Sequence, residues 1–231
     1  MLKQRWASFK DKRIVAIGAH PDDVEFGAGG TLLQLGKANE IKVIVVSDGQ
    51  MGSHDADINK GELVSLRQKE AKEAAEMYQA KQVIFFDFLD TRVGEDKKRL
   101  VKKLVKRLVK WQPDLVITHD PWKAYTPYHA DHVAVGIAVL DAVMLATLPG
   151  YVKKLNMSAL KAKPTVWLMH PQERQIEIDI KDVLEKKLAM IKKFASQFDE
   201  QVQWEDIKRK LSVPIEAFAE IDSGVYSGVE E

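Results

Sequence analysis

With 231 residues and no cysteine, the chain is long enough for one substantial α/β domain and holds no disulfide, thiolate metal ligand or cysteine nucleophile. Its 35 Lys and Arg against 34 Asp and Glu leave a formal charge of +1, which excludes a global electrostatic pull towards nucleic acid or membrane. No run approaches the ~20 apolar residues of a spanning helix, and Met1–Trp6 lacks an apolar signal core, so a cytoplasmic location without membrane insertion is expected.

Short apolar runs alternate with longer amphipathic segments, which predicts a Rossmann-like α/β fold: a mostly parallel sheet flanked by helices, in one domain whose residues 151–231 complete a core built by 1–150. Residues 13–18 read as the first strand, ending in Gly18 and the turn Ala19-His20-Pro21-Asp22-Asp23, with a helix from Glu25 to about Asn39. Gly27, Gly29 and Gly30 lie where that helix begins, but no Gly-x-Gly-x-x-Gly fingerprint accompanies them, so a dinucleotide site has little support. Ile41–Val46 is the second strand, leaving through Ser47-Asp48-Gly49 into a polar loop that runs past His54. A helix over Glu62–Ala80 sets Arg67 and Glu70 three apart, the spacing of a surface ion contact. Val83–Phe86 is the third strand, with Leu89-Asp90-Thr91-Arg92 at its exit.

From Lys97 to Trp111, Leu100, Val101, Leu104, Val105, Leu108 and Val109 form one apolar stripe. The Lys and Arg between them read as a solvated face, since no aromatic residues are interleaved for base stacking. Pro113 ends that helix and Leu115–Thr118 is the fourth strand, followed by His119-Asp120. Next comes Tyr128-His129-Ala130-Asp131-His132, which leads into an apolar helix over about Val133–Leu148. Val166–Met169 and Gln175–Ile180 are further strands, Asp182 is placed to cap a helix reaching about Phe198, and Trp204–Leu211 is a last helix before a loose, acid-rich end.

Four of the six histidines, His20, His119, His129 and His132, fall just after predicted strands. In open α/β sheets, ligands bind beyond the carboxyl ends of the strands. Either cluster alone would be an ordinary turn. Together they offer imidazole nitrogen and carboxylate oxygen, a set that suits Zn²⁺, and a catalytic zinc takes three protein ligands and leaves one position for water. One turn cannot supply three such ligands, so the two clusters are expected to converge. At the start of a helix, His129 and His132 would share one face.

Ala19-His20-Pro21-Asp22-Asp23-Val24-Glu25 with Gly29-Gly30-Thr31 resembles the opening motif of the LmbE-like, or PIG-L, zinc-dependent N-deacetylases, and His129-Ala130-Asp131-His132 resembles their second motif. Ser47-Asp48-Gly49, Arg67 with Glu70-Ala71, Asp90 near Arg92, and Lys187 with Ser196-Gln197 extend the similarity along most of the chain. The resemblance implies hydrolysis of the N-acetyl group of N-acetylglucosamine-type sugars, with His20, Asp23 and His132 binding Zn²⁺. It implies Asp22 as general base, and His129, oriented by Asp131, steadying the oxyanion or protonating the amine. Arg67 and Asp90 would touch substrate, and the protein would be a homo-oligomer. Ala130 stands where the motif usually has proline, Pro127 stands near the place of a tyrosine found in some relatives, and Phe194-Ala195 precedes Ser196 where a histidine is common.

Two other readings share parts of this pattern. A metal-dependent phosphoesterase, or a hydrolase of another amide or ester, would also use Asp and His clusters, although few residues remain for a second, bridging metal. A binding module with decayed chemistry would keep the scaffold alone.

Overall fold

In the computed structural model, β1 (Arg13–Gly18) lies inside the sheet, parallel to β2 (Glu40–Ser47) on one side and to β4 (Leu115–His119) on the other. The structure describes residues 9–53, 55, 57–123, 129–197 and 202–221. His54, Tyr125, Pro127, Tyr128 and the acid-rich end fall outside them. With β3 (Gln82–Phe88), β5 (Thr165–Met169), β6 (Ile176–Asp179) and β7 (Ile215–Ile221), the sheet has seven strands in the order β3-β2-β1-β4-β5-β7-β6. The first five are parallel, and β7 runs antiparallel between β5 and β6. Strand order reverses between β1 and β4, so the turns leaving these two strands sit side by side at the carboxyl edge.

Both faces of β1 are covered. Val15 and Ile17 enter one core with α3 (Lys97–Trp111) and α4 (Ala130–Ala146). Ile14 and Ala16 enter the other with α1 (Asp23–Leu35), α2 (Lys60–Met77) and α6 (Leu184–Ile191). This two-sided burial is why the strand reads as a continuous apolar run. The expected stripe of α3 is buried throughout, and Leu104 is fully enclosed. Leu104→Ala is therefore expected to lower stability by about 2–5 kcal/mol through lost contact and a residual cavity, as read by urea unfolding. On the other face of α3, Arg99 lies over the Phe88 ring at 4.4 Å and Lys103 over Phe86 at 4.5 Å, so part of the basic face covers aromatic surface.

Several boundaries differ from expectation. Helix α1 starts at Asp23 and gives way to a 3-10 turn, Gly36–Ala38, while α4 starts at Ala130, which brings Asp131 and His132 into a first helical turn. The expected helix from Asp182 to Phe198 is a 3-10 turn at Lys181–Val183, then α6, then a second turn at Ala195–Gln197. Val183 occupies the N-cap of α6 and no side chain caps it, so Asp182 has no capping role. The short helix α5 (Pro149–Lys153) and strand β7 were not anticipated, and α7 (Val202–Lys210) matches the last expected helix within two residues. Among the described residues, no helix is long and apolar enough to cross a membrane.

Glycines let α1 approach its neighbours closely. A Cβ on Gly30 would come to 2.7 Å of Ile180 Cγ2, and one on Gly29 would collide with the Met190 methyl group. The middle of α1 is also joined to the C-terminal third by a buried ion pair. Glu216 accepts from the Gly30 and Thr31 amides, both at 2.7 Å, and from Thr31 Oγ1 at 2.6 Å. Lys187 pairs with Glu216 and donates to the Phe26 carbonyl at 2.8 Å.

Candidate metal centre and active site

Pro21 and the backbone of Asp22 aim the acidic turn. Asp22 sits at φ 149°, a region that favours glycine, just before α1 begins. The two aspartates consequently diverge. Asp23 turns back, accepting from the His20 amide at 2.6 Å, and faces the imidazoles, while Asp22 faces Arg67.

At the switch point the two clusters meet. Asp23 Oδ1 is 3.1 Å from His132 Nε2, Asp23 Oδ2 is 3.4 Å from His20 Nδ1, and His20 Nδ1 is 3.2 Å from His132 Nε2. His119, at the end of β4, brings Nε2 to 3.1 Å of Asp23 Oδ2, and the same nitrogen accepts from the Ala19 amide at 3.1 Å. His119 was noticed in the sequence only as one of four strand-end histidines, and its place next to the switch point is the signal that marks it. The rings of His129 and His132 stack at 4.3 Å, and His20 meets His129 edge-on at 4.6 Å. His129 itself is the N-cap of α4, with extended backbone.

These separations suit a cation. Donor atoms around a tetrahedral Zn²⁺ with bonds of about 2.0–2.1 Å lie about 3.3 Å from one another. Nitrogen and oxygen lone pairs packed this closely repel unless a positive charge stands between them. The surroundings favour positive charge as well. Burial alone would lower the His20 pKa, but hydrogen bonds to the Asp131, Asp23 and Asp90 carboxylates carry it well above its usual value. Burial would raise Asp23, yet the charges of His132 and His119 hold it well below the carboxylate range. Asp22 is raised to about 7, chiefly by burial, with Arg67 opposing and Asp23 assisting. His129 is lowered, first by burial and then by its imidazole neighbours.

The remaining expected site residues occupy the rim and the supporting layer. Asp90 accepts from His20 Nε2 at 3.1 Å and from the Met51 amide at 3.1 Å, so it orients a candidate ligand as well as lining the cavity. Asp131 accepts from the Thr91 amide at 2.7 Å and the Val93 amide at 3.1 Å, and lies 3.4 Å from His20 Nε2. Its imidazole partner is thus His20, where the resemblance had suggested His129. Residues two apart at a helix start point away from each other, which accounts for the difference. Arg67 and Glu70 form no surface pair, since both are buried. Arg67 donates to the Gly49 carbonyl at 2.8 Å, the Pro21 carbonyl at 3.2 Å and Asp22 Oδ2 at 3.3 Å. Glu70 holds Ser196.

A cavity of about 330 Å³ opens over this centre, lined by His20, Asp22, Asp23, His129 and His132 on one side and by Met51, Gly52, Arg67 and Gln197 on the other. Sequence reasoning had not singled out Met51 or Gly52.

The model of the family described as PIG-L: GlcNAc-PI de-N-acetylase matches residues 15–143. Diacetylchitobiose deacetylase of Thermococcus kodakarensis is 30% identical over 207 residues, covering 87% of this chain and 77% of the relative. N,N′-diacetylchitobiose deacetylase from Pyrococcus horikoshii, solved with an inhibitor, superposes with a TM-score of 0.85 at 28% identity, over 96% of this chain and 87% of that one. The hydratase GalB from Pseudomonas putida shares the fold at a TM-score of 0.74 and 22% identity, over 95% of this chain and 100% of that one. The acidic turn and the imidazole pair both lie within the matched residues, and with the relative of Thermococcus they place this chain in the PIG-L, or LmbE-like, family of de-N-acetylases.

Proposed function

We propose that this protein is a zinc-dependent N-deacetylase that hydrolyses the acetamido group of an N-acetylglucosamine-type sugar or small glycoside. The observation that carries the reading is the meeting of His20, Asp23 and His132 within 3.1–3.4 Å of one another, with Asp22 beside them. A fold shared with a hydratase does not decide the reaction, so the argument rests on the side chains.

In this reading His20, Asp23 and His132 hold Zn²⁺, which when bound polarises the amide carbonyl and makes water a better nucleophile. Asp22 has no place among those three. Its pKa near 7 lets it take a proton from water at neutral pH and pass it to the departing amine. Arg67 fixes the Asp22 carboxylate and limits its rise. His129, lowered by burial, is neutral near pH 7 and offers an N–H to the developing oxyanion without carrying charge. Asp90 and Asp131 keep His20 turned so that Nδ1 faces the centre.

Amine release from acetylated glucosamine derivatives, with added zinc and with chelator, tests the proposal. Zinc-dependent release is expected, and activity that survives full metal removal would sink it. Asp22→Asn should lower kcat by about 10²–10⁴-fold while metal content, read by elemental analysis, stays at the wild-type level. Loss of metal together with activity would place Asp22 among the ligands instead.

A further inference from the structure

Helices α3 and α4 pack together on one side of the sheet, and each turns outward a face that no other described element covers. Half of the eight basic residues of α3 are already engaged. Lys97 reaches Asp141 at 2.8 Å, Arg99 reaches Asp96 at 3.5 Å and lies over Phe88, Lys103 donates to the Phe86 carbonyl at 2.9 Å, and Arg107 lies over the Trp111 ring. Four remain. Lys98, Lys102, Lys106 and Lys110 are exposed, and their ammonium groups have no partner among the described residues. At a spacing of four they climb one side of the helix over about 18 Å. In a chain whose formal charge is only +1, such a row is a local concentration of positive charge.

Helix α4 departs in the opposite sense. From Val133 to Leu148 the one charged residue is Asp141, and Lys97 neutralises it. A helix that is apolar on every side is ordinarily enclosed. Its inner side is, with Val135, Val139 and Val143 in the core, but Ile137, Met144 and Leu148 are 38%, 49% and 44% exposed. Ile137 and Met144 recur at helical spacing with the half-buried Leu140, which makes one apolar ridge. The pair of Lys97 and Asp141, both close to half exposed, is the seam that sets the ridge beside the lysine row.

Unpartnered cations next to uncovered apolar side chains match an anionic lipid surface, whose headgroups take the lysines while the ridge enters the boundary of the acyl chains. Nucleic acid would satisfy the lysines alone, because no aromatic residue between Val133 and Leu148 offers a base a stacking partner. A second copy docked on the ridge about a two-fold axis would crowd two lysine rows at one interface. We infer that α3 and α4 form a docking face by which the protein lies on an anionic membrane surface without spanning it. None of the residues of this face lines the cavity, so docking leaves the cavity lining untouched.

Sedimentation with vesicles of phosphatidylcholine, pure or mixed two to one with phosphatidylglycerol, tests the face. Affinity is expected to be at least about tenfold higher for the mixed vesicles and to fall as salt rises. Lys102→Glu combined with Lys106→Glu should lower it by at least about tenfold. Because the chain has no cysteine, Met144→Cys accepts a single environment-sensitive dye, whose emission should move to the blue on the mixed vesicles. The same dye on Lys69→Cys, an exposed position of α2 on the opposite side of the sheet, should not respond. Equal binding to pure phosphatidylcholine, no loss on charge reversal, or an unresponsive dye at residue 144 would overturn the docking face. So would a DNA or RNA duplex that holds the protein as tightly as the mixed vesicles do. A dye already shifted without lipid, in step with protein concentration, would give the ridge to a second copy and overturn it as well.

Discussion

Asp23→Asn is expected to strip the protein of bound metal and to lower amine release by at least about 10³-fold. Asp23 is the hub of the donor cluster: its two oxygens reach His132, His20 and His119, and Oδ2 also accepts from the His20 amide. An asparagine keeps the shape but removes the charge, and its NH₂ would point a donor at an imidazole meant to face a cation. Without the carboxylate the cluster loses its one anionic donor to the cation, and the remaining donors no longer offset the charge of a divalent ion. Zinc titration followed by elemental analysis reads the effect directly. A variant that retains one equivalent of zinc at wild-type affinity would remove Asp23 from the ligand set and with it the proposed centre.

The largest effect on stability is expected at Lys187, which touches no part of the cavity. Lys187→Met leaves the Glu216 carboxylate, 5% exposed, with its amide and hydroxyl donors but without its counter-charge. Breaking a buried pair from one side costs about 3–5 kcal/mol, because an uncompensated charge stays in a poorly polarisable interior. For a chain of this length that corresponds to roughly 10 °C in Tm. Lys187→Met combined with Glu216→Gln should recover part of the loss, since no buried charge then remains. Urea unfolding of the two variants decides the matter. A loss below about 1 kcal/mol for Lys187→Met would mean that water reaches the pair.

The parts of this molecule that were legible in its sequence are those governed by neighbours along the chain. The stripe of α3 and the apolar run of β1 follow from periodicity, and the first and last residues of each fall where expected. Convergence of the two His and Asp clusters was expected because both leave strands at the carboxyl edge. What escaped depends on distant partners. Strand β7 alternates Glu216, Phe218 and Glu220 on one face, a pattern that looks exposed until Lys187 and the amides of α1 are placed around Glu216. The spacing of Arg67 and Glu70 suggested a surface pair, because the acceptors of Arg67, Gly49 and Pro21, are backbone carbonyls that no side-chain pattern reveals. The resemblance set Asp131 beside His129, whereas the helix turns it towards Thr91, Val93 and His20.

The reach of Glu216 across 186 positions to Gly30 has a temporal side. On the ribosome, the segment that bears both aspartates emerges long before the strand whose carboxylate ties down its middle. Until the C-terminal third leaves the exit tunnel, the glycine face of α1 lacks Ile180 and Met190 to pack against, and the Gly30 and Thr31 amides lack their acceptor until β7 follows. A nascent chain halted after α4 would carry His20, Asp23 and His132 and still lack the acceptor and the side chains that hold the middle of α1 in place.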